Sequence, residues 1–244
     1  MRDVEDHLPS GRPGSTASLV RARVEAGGER FWHHTDFADL PPQAVALALS
    51  RLTQEGVLTR ARKGLYYRPR PTVLGLSVPA ASAVAARAVA APLHPAGLTA
   101  GAMLGFSTQN PSTLEYATSA TDPPRVPVNA HFYVRRPATR RGLDAEEGAL
   151  LEFLRDRGSA SDLSPDETVR RLVRLLNDRD RFGRLAEAAL EEPPRVRAIL
   201  GALGEELGLD DTLLAPLRAS LNPLSRFDFG ALRGLRFADR WQAK

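Results

Sequence analysis

Basic side chains gather in one short part of the chain, where they could bind phosphate groups. Residues 51–70 contain six arginines and lysines against a single acidic residue, Glu55. Guanidinium and ammonium groups bind phosphate oxygens, and such contacts hold a protein on a nucleic acid without reading its sequence. We therefore expect phosphate contacts from three cations beside a predicted turn, which are Arg60, Arg62 and Lys63.

A helix predicted over residues 42–54 carries side chains that can read bases. Val45, Leu49 and Leu52 repeat at the spacing of one helical face, which we expect to be buried. Glutamine can pair with adenine, arginine with guanine, and an alanine methyl can touch the methyl group of thymine. The opposite face supplies six candidate DNA contacts, which are Gln43, Ala46, Leu47, Ser50, Arg51 and Gln54.

A second group of arginines lies further along the chain, at residues 123–143, where five arginines occur without an acidic residue. Two interpretations of this group stay open. It could be a second basic patch that contacts phosphates, or it could keep the edge of a strand soluble. Its members are Arg125, Arg135, Arg136, Arg140 and Arg141.

The sequence offers little for catalysis or metal binding. His33 and His34 are adjacent, and neighbouring residues of a strand point to opposite faces, so we expect them not to share a metal ion. The chain has no cysteine, which excludes thiolate ligands and thiol nucleophiles, and it has no phosphate-binding glycine motif. The acidic residues of 178–192 alternate with arginines, as on a solvated helix surface. We predict no enzyme activity, no catalytic residue, no metal site and no cofactor.

Length and charge fit one or two domains and permit nucleic-acid binding without establishing it. The 244 residues carry a formal net charge of +4, and the positive charge lies in the first two thirds. From residue 142 to the end, 16 basic residues face 19 acidic ones. No apolar run is long enough for a membrane span or resembles a signal peptide. We therefore expect a cytoplasmic protein without membrane association.

The elements that must position the candidate contacts follow a familiar order. We predict helix 15–26, strand 31–32, a short helix at 37–40, helix 42–54, and a two-stranded hairpin made of 57–60 and 65–67. This order is typical of a winged helix-turn-helix, in which the third helix fits the DNA major groove and the hairpin reaches the backbone beside it.

The rest of the chain predicts a mixed architecture, so the fold class is α+β. Strands are predicted at 112–119, 125–129 and 131–136, and helices at 144–157, 165–176, 181–191 and 194–207. We expect Ser164 and Glu167 to form a capping box and Thr99 to cap a short helix. The predicted domains are a disordered tail (1–14), the winged helix-turn-helix (15–72), a small α/β middle region with about three strands (73–141) and a mainly helical C-terminal region (142–244).

Two stretches resemble the AbiEi-type antitoxins of type IV toxin–antitoxin systems. The first joins Ala48-Leu49-Ser50-Arg51-Leu52 to Gly56, Arg60 and Lys63-Gly64-Leu65-Tyr66, and the second is Gly105-Phe106-Ser107-Thr108-Gln109. The resemblance covers about residues 15–141 and continues weakly to about 208. It implies an N-terminal domain that binds the operator of its own operon, a C-terminal domain with antitoxin activity, and a nucleotidyltransferase-like toxin as partner.

The sequence therefore predicts a transcriptional regulator that binds double-stranded DNA and represses its own operon. We expect a homodimer on DNA, because one winged helix reads only a short half-site. The alternative from another class is a protein-interaction adaptor, whose winged helix binds a partner protein instead of DNA.

Overall fold

The chain forms a mixed α+β structure in two compact units, which divide between Ala88 and Val89. The computed structural model describes residues 14–73, 75–89, 91–124, 126 and 128–244. The tail predicted for residues 1–14 lies outside these residues except for Gly14. The domain boundary expected at residue 72 falls inside the first unit, and the one expected at residue 141 falls inside the second.

The first unit begins with a helix, a strand and a short turn of helix, and continues into a longer helix and a hairpin. Ser15 caps the first helix, because its side chain accepts a hydrogen bond from the amide of Ser18. The elements are α1 (Thr16–Ala26), β1 (Arg30–His33), a 3₁₀ helix (His34–Phe37), α2 (Pro42–Gln54), β2 (Thr59–Arg62), β3 (Leu65–Arg68), β4 (Pro71–Thr72), β5 (Gly75–Leu76) and α3 (Ala81–Ala88).

Three of these strands form an antiparallel sheet in the order β1-β3-β2. The hairpin was predicted from residue 57, but β2 starts at Thr59. The amides of Val57 and Leu58 both donate to the carbonyl oxygen of Leu52, at 2.9 and 3.1 Å, and so close the end of α2. These two residues therefore complete the helix terminus before the strand can begin.

The core of the first unit lies between α1, α2 and the sheet. Val45, Leu49 and Leu52 are buried, as the helical spacing predicts. Apolar side chains of this size each stabilise the fold by about 1.5–3 kcal/mol when fully buried. The other members of this core are Val20, Val24, Trp32, Phe37, Ala48 and Leu58.

The second unit combines a small sheet with a larger set of helices. Strand β7 pairs antiparallel with β6 and parallel with β8. The elements are β6 (His94–Pro95), α4 (Gly97–Met103), β7 (Leu114–Ala117), β8 (Ala130–Tyr133), a 3₁₀ helix (Ala138–Gly142), α5 (Ala145–Arg155), α6 (Pro165–Leu176), α7 (Arg179–Ala189), α8 (Pro194–Glu206), α9 (Asp211–Ala219) and two further 3₁₀ turns (Gly230–Leu232 and Ala238–Trp241).

One hydrophobic core runs through the second unit. Phe106, from the predicted middle region, stacks on Phe153 of α5 with ring centroids 4.0 Å apart. The predicted capping box is confirmed, because Ser164 and Glu167 bond reciprocally at the start of α6. None of the helices in the described residues has the length and apolar character needed to cross a bilayer.

Two local predictions in the second unit are wrong. Thr99 does not cap α4, which starts at Gly97; instead the Oγ1 atom of Thr99 accepts a hydrogen bond of 2.8 Å from the amide of Glu115. Of the strand predicted at 125–129, residues 125 and 127 lie outside the described residues, and 126, 128 and 129 are not in a strand.

Candidate nucleic-acid interface

Helix α2 presents the predicted base-reading residues on one exposed face. All six are exposed, including Leu47, whose surface is 54% accessible. At about 3.6 residues per turn they cover an arc of roughly 140°, opposite the buried apolar stripe. The face is formed by Gln43, Ala46, Leu47, Ser50, Arg51 and Gln54.

The sequence around α2 holds this helix in place. Pro42 occupies the first turn, where its missing N–H costs no helical hydrogen bond. Beyond the C-terminal end, Gly56 adopts a φ of +76°, a conformation that favours glycine. Helix α1 packs beside α2, and Arg21 of α1 forms an ion pair with Glu55. The exposed face is therefore carried by a capped and braced helix.

The hairpin places the three predicted phosphate contacts around a tight turn. Arg62 and Leu65 are paired, so Lys63 and Gly64 form a two-residue loop, in which Gly64 has a φ of +81°. Arg60 and Lys63 are exposed, and Arg62 is half-buried. The Nε atom of Arg60 donates to the carbonyl oxygen of Arg62 at 3.4 Å, which keeps the Arg60 guanidinium close to the turn.

Most arginines elsewhere in the first unit are already neutralised by carboxylates. Arg23 binds Asp39 through two hydrogen bonds of 2.7 and 2.5 Å. The pKa of Asp39 is lowered, first by its hydrogen bond with Arg23. Similar ion pairs join Arg21 to Glu25 and Glu55, Arg30 to Asp36, and Arg70 to Glu29.

The cations of the candidate interface differ, because they have no carboxylate partner. Among the residues that the structure describes, no ion pair involves Arg51, Arg60, Arg62 or Lys63. Arg87 at the end of α3 likewise forms no ion pair with the residues that the structure describes. A cation without an internal partner can take up a phosphate oxygen without first breaking an ion pair. The α2–hairpin segment thus holds positive charge that is free to bind an anion.

The two adjacent histidines lie together, contrary to the sequence prediction. Strand β1 ends at His33, and His34 begins the 3₁₀ helix, so the alternation of a strand stops between them. Their ring centroids are 4.1 Å apart. A Cβ atom placed on Gly64 would lie 3.6 Å from His33 Nε2 and 3.8 Å from His34 Nδ1. Both imidazoles therefore stand against the turn of the hairpin.

Two arginines of the predicted second patch are not available to phosphates. Arg140 is 1% exposed and bonds Glu152 and Glu192, the latter at 2.6 Å. Arg136 binds Glu152 through two hydrogen bonds of 2.8 and 2.9 Å. Arg155 completes the cluster with a bond of 2.6 Å to Glu192. Arg136 and Arg140 therefore belong to an internal ion-pair cluster, which neither of the two open interpretations included.

The cluster lowers the pKa of Glu152, the carboxylate that both Arg136 and Arg140 bind. Burial alone would raise the pKa of Glu152, but hydrogen bonds and charge from Arg136 and Arg140 outweigh it and lower that pKa. Glu152 is therefore held as a carboxylate inside the second unit. Each charge in such a buried cluster is compensated by its partners, so removing one of them destabilises the fold.

The remainder of the second patch is small. Arg125 lies outside the described residues. Arg135 and Arg141 are exposed, and the Nε atom of Arg141 donates to Ser119 Oγ at 3.2 Å. Two surface arginines are too few to define an interface by themselves.

Two of the acidic residues of 178–192, Asp178 and Glu192, have clear structural roles. Asp178 caps α7 by accepting from the amide of Arg181 at 2.9 Å, and Glu192 belongs to the buried cluster. Within the described part of the chain, no three His, Asp or Glu side chains are placed to hold a metal ion.

Comparisons with known proteins match part of the chain to a family of unknown function and the fold to a solved structure of low sequence identity. A family model described as a family of unknown function (DUF6088) matches residues 28–128. The chain is similar in structure to the RV2827C protein from Mycobacterium tuberculosis, with a TM-score of 0.52 and 16% identity over 96% of this chain and 92% of that one. No curated protein matches. The likeness to the mycobacterial protein concerns the fold alone.

Proposed function

We propose that the first unit is a winged helix-turn-helix that binds double-stranded DNA. The order of its elements supports this proposal: α1, β1, a short helix, α2 and the β2–β3 hairpin, with the sheet order β1-β3-β2. The observation that carries it is the absence of carboxylate partners, among the described residues, at the cations of α2 and the hairpin.

In this proposal α2 enters the major groove and reads bases. An α-helix about 10–12 Å wide fits a groove about 12 Å wide. Gln43 and Ala46 lie near the N-terminal end of α2, which approaches base edges in helix-turn-helix proteins. Arg51, one turn from the C-terminal end, reaches a guanine or a phosphate.

The hairpin acts as the wing and contacts the sugar–phosphate backbone. Arg60, Arg62 and Lys63 stand on or beside its two-residue turn, so they deliver three positive charges within a short span. Contacts of this kind fix the position of the protein on DNA, while sequence preference comes from α2.

We further propose that the protein is a transcriptional regulator that represses its own operon. The AbiEi-like motifs support an antitoxin-type role, because the ALSRL motif lies on α2, where its Ser50 and Arg51 are exposed, and the KGLY motif spans the hairpin turn and the start of β3. A nucleotidyltransferase-like toxin encoded beside it would be its functional partner.

The test compares a hairpin variant with a charge-matched control. We expect the double variant Arg62→Ala and Lys63→Ala to lose affinity for the DNA upstream of its own gene. Each lost phosphate contact also reduces the slope of log K against log salt by about 0.9. The control removes two paired cations, Arg23→Ala and Arg70→Ala, with the same change in net charge. It should leave both affinity and slope almost unchanged, as measured by fluorescence anisotropy.

If both double variants lose affinity equally, the effect is one of net charge and the hairpin is not the wing. If the parent chain fails to bind duplex DNA at low salt, the DNA-binding function is wrong. The alternative would then be the adaptor, in which α2 packs on a partner protein.

A further inference from the structure

We propose that His33 and His34 form part of the DNA-binding surface, where His34 donates to a backbone phosphate next to the wing and does so in its protonated form. This inference rests on the proposed DNA-binding function and adds a pair of residues to the same surface.

The position of the pair supports a phosphate contact. His33 pairs with Leu65, the residue that follows the turn, so the end of β1 lies beside the tip of the hairpin. Both rings lie within 4 Å of the position that a Cβ atom on Gly64 would occupy, so they contact the turn of the hairpin. His34 is exposed, and its side chain forms no hydrogen bond with the described residues. Its ring contacts the ring of His33. A phosphate bound by Lys63 would therefore lie within reach of the His34 ring.

His33 has a supporting role, because the fold already occupies its hydrogen-bonding groups. Its backbone amide donates to Asp36 at 2.8 Å, and its Nδ1 atom accepts from the amide of Thr35 at 3.4 Å. Nδ1 also lies 2.9 Å from Thr35 Oγ1, while Nε2 is the atom that faces Gly64. These contacts orient the His33 ring, which lies tilted against the ring of the more exposed His34.

The surroundings of His33 disfavour a proton on its own ring. Burial lowers the pKa of His33, and the charges of His34 and Arg62 lower it further, while Asp36 acts in the opposite direction. A proton on His34 would add positive charge beside Arg62 and Lys63. A phosphate in contact with the pair would stabilise that charge, so DNA binding is coupled to proton uptake.

The test is the pH dependence of DNA affinity in single-residue variants. We expect the parent chain to bind its upstream duplex on the order of five-fold more tightly at about pH 6 than at about pH 8, as for uptake of one proton by an imidazole. His34→Gln should abolish this dependence. His34→Lys, which keeps a permanent charge, should bind tightly across the range. The control His131→Gln, an exposed histidine of β8, should retain the dependence of the parent.

Three results would overturn the inference. The first is an unchanged pH dependence in His34→Gln, and the second is a His34→Lys variant that binds no more tightly than His34→Gln at about pH 8. The third is equal affinity of the parent chain across the range. In each case DNA binding persists, so the proposed function stands while the histidine contact fails. A chain that binds no duplex DNA at any pH instead removes the proposed function.

Discussion

Gln43 and Ser50 show how a single side chain is expected to act in the interface. Both are exposed on α2, and both can form hydrogen bonds with base edges. We expect Gln43→Ala to cost about 1–3 kcal/mol at one base-pair position and to relax the preference there. Competition between upstream duplexes that differ at single positions measures this change.

The salt dependence separates this effect from that of a phosphate contact. Gln43 carries no charge, so the slope of log K against log salt should not change in Gln43→Ala. A uniform loss of affinity on every duplex, with no change of preference, would show that Gln43 does not read a base.

Glu152 is the residue on which the internal ion-pair cluster depends. Replacing it with glutamine leaves Arg136 without its carboxylate and Arg140 with Glu192 alone. Breaking a buried ion pair of this kind costs about 3–5 kcal/mol. We expect Glu152→Gln to lower the free energy of unfolding by that amount in urea. The control Glu146→Gln removes a more exposed partner of Arg181 and should cost no more than about 1 kcal/mol.

The same carboxylate has a defined effect on acid stability. The folded-state pKa of Glu152 is below its ordinary value, so its contribution is present above about pH 4.3 and is lost as pH falls towards the lowered pKa. The stability difference between the parent and Glu152→Gln should therefore shrink as the solution is acidified through this range. A constant difference would show that Glu152 stabilises the unit without its charge.

The hairpin carries the proposed phosphate contacts, and a substitution at Gly64 tests whether its turn conformation matters. Gly64 has a φ of +81°, so an alanine there is strained by about 1–2 kcal/mol. Its new Cβ would also approach both histidines to within 4 Å. We expect Gly64→Ala to reduce stability and to weaken DNA binding, as measured by urea unfolding and anisotropy.

Gly56 provides the matched control. Its φ is +76°, but no atom lies within 4 Å of an added Cβ. Gly56→Ala should therefore show a similar loss of stability with little loss of DNA affinity while the protein stays folded. Equal effects of both variants on DNA affinity would mean that the turn contributes only through overall stability.

Local signals were enough to predict some elements from the sequence. Helices α2 and α6 have the bounds that their apolar spacing and first-turn prolines predict. The exposed face of α2 follows from the same spacing. Signals of this kind lie within one or two helical turns, so no knowledge of the tertiary structure is needed.

Other features depend on contacts between distant residues and could not be predicted. Arg136 and Arg140 look like surface cations, but their partners Glu152 and Glu192 lie 16 and 52 residues away. The histidine pair was misjudged because the end of β1 falls between the two residues. The lack of carboxylate partners at the hairpin cations likewise appears only once the ion pairs of the first unit are known.

For the whole molecule we expect a two-fold arrangement on DNA. A single α2 helix reads only a few base pairs, so a specific operator needs two half-sites about 10 bp apart or a multiple of that spacing. We expect two chains per upstream site, as measured by sedimentation of the complex. A saturated complex with one chain, and a footprint without a repeated half-site, would contradict the dimer.

The central claim is tested most directly by the affinity of the parent chain for the DNA upstream of its own gene, compared with a shuffled duplex, between about 50 and 200 mM salt. We predict tighter binding of the upstream duplex and a steep fall in affinity for both duplexes as salt increases. Weak binding that does not depend on salt, or equal affinity for the two duplexes, would contradict it.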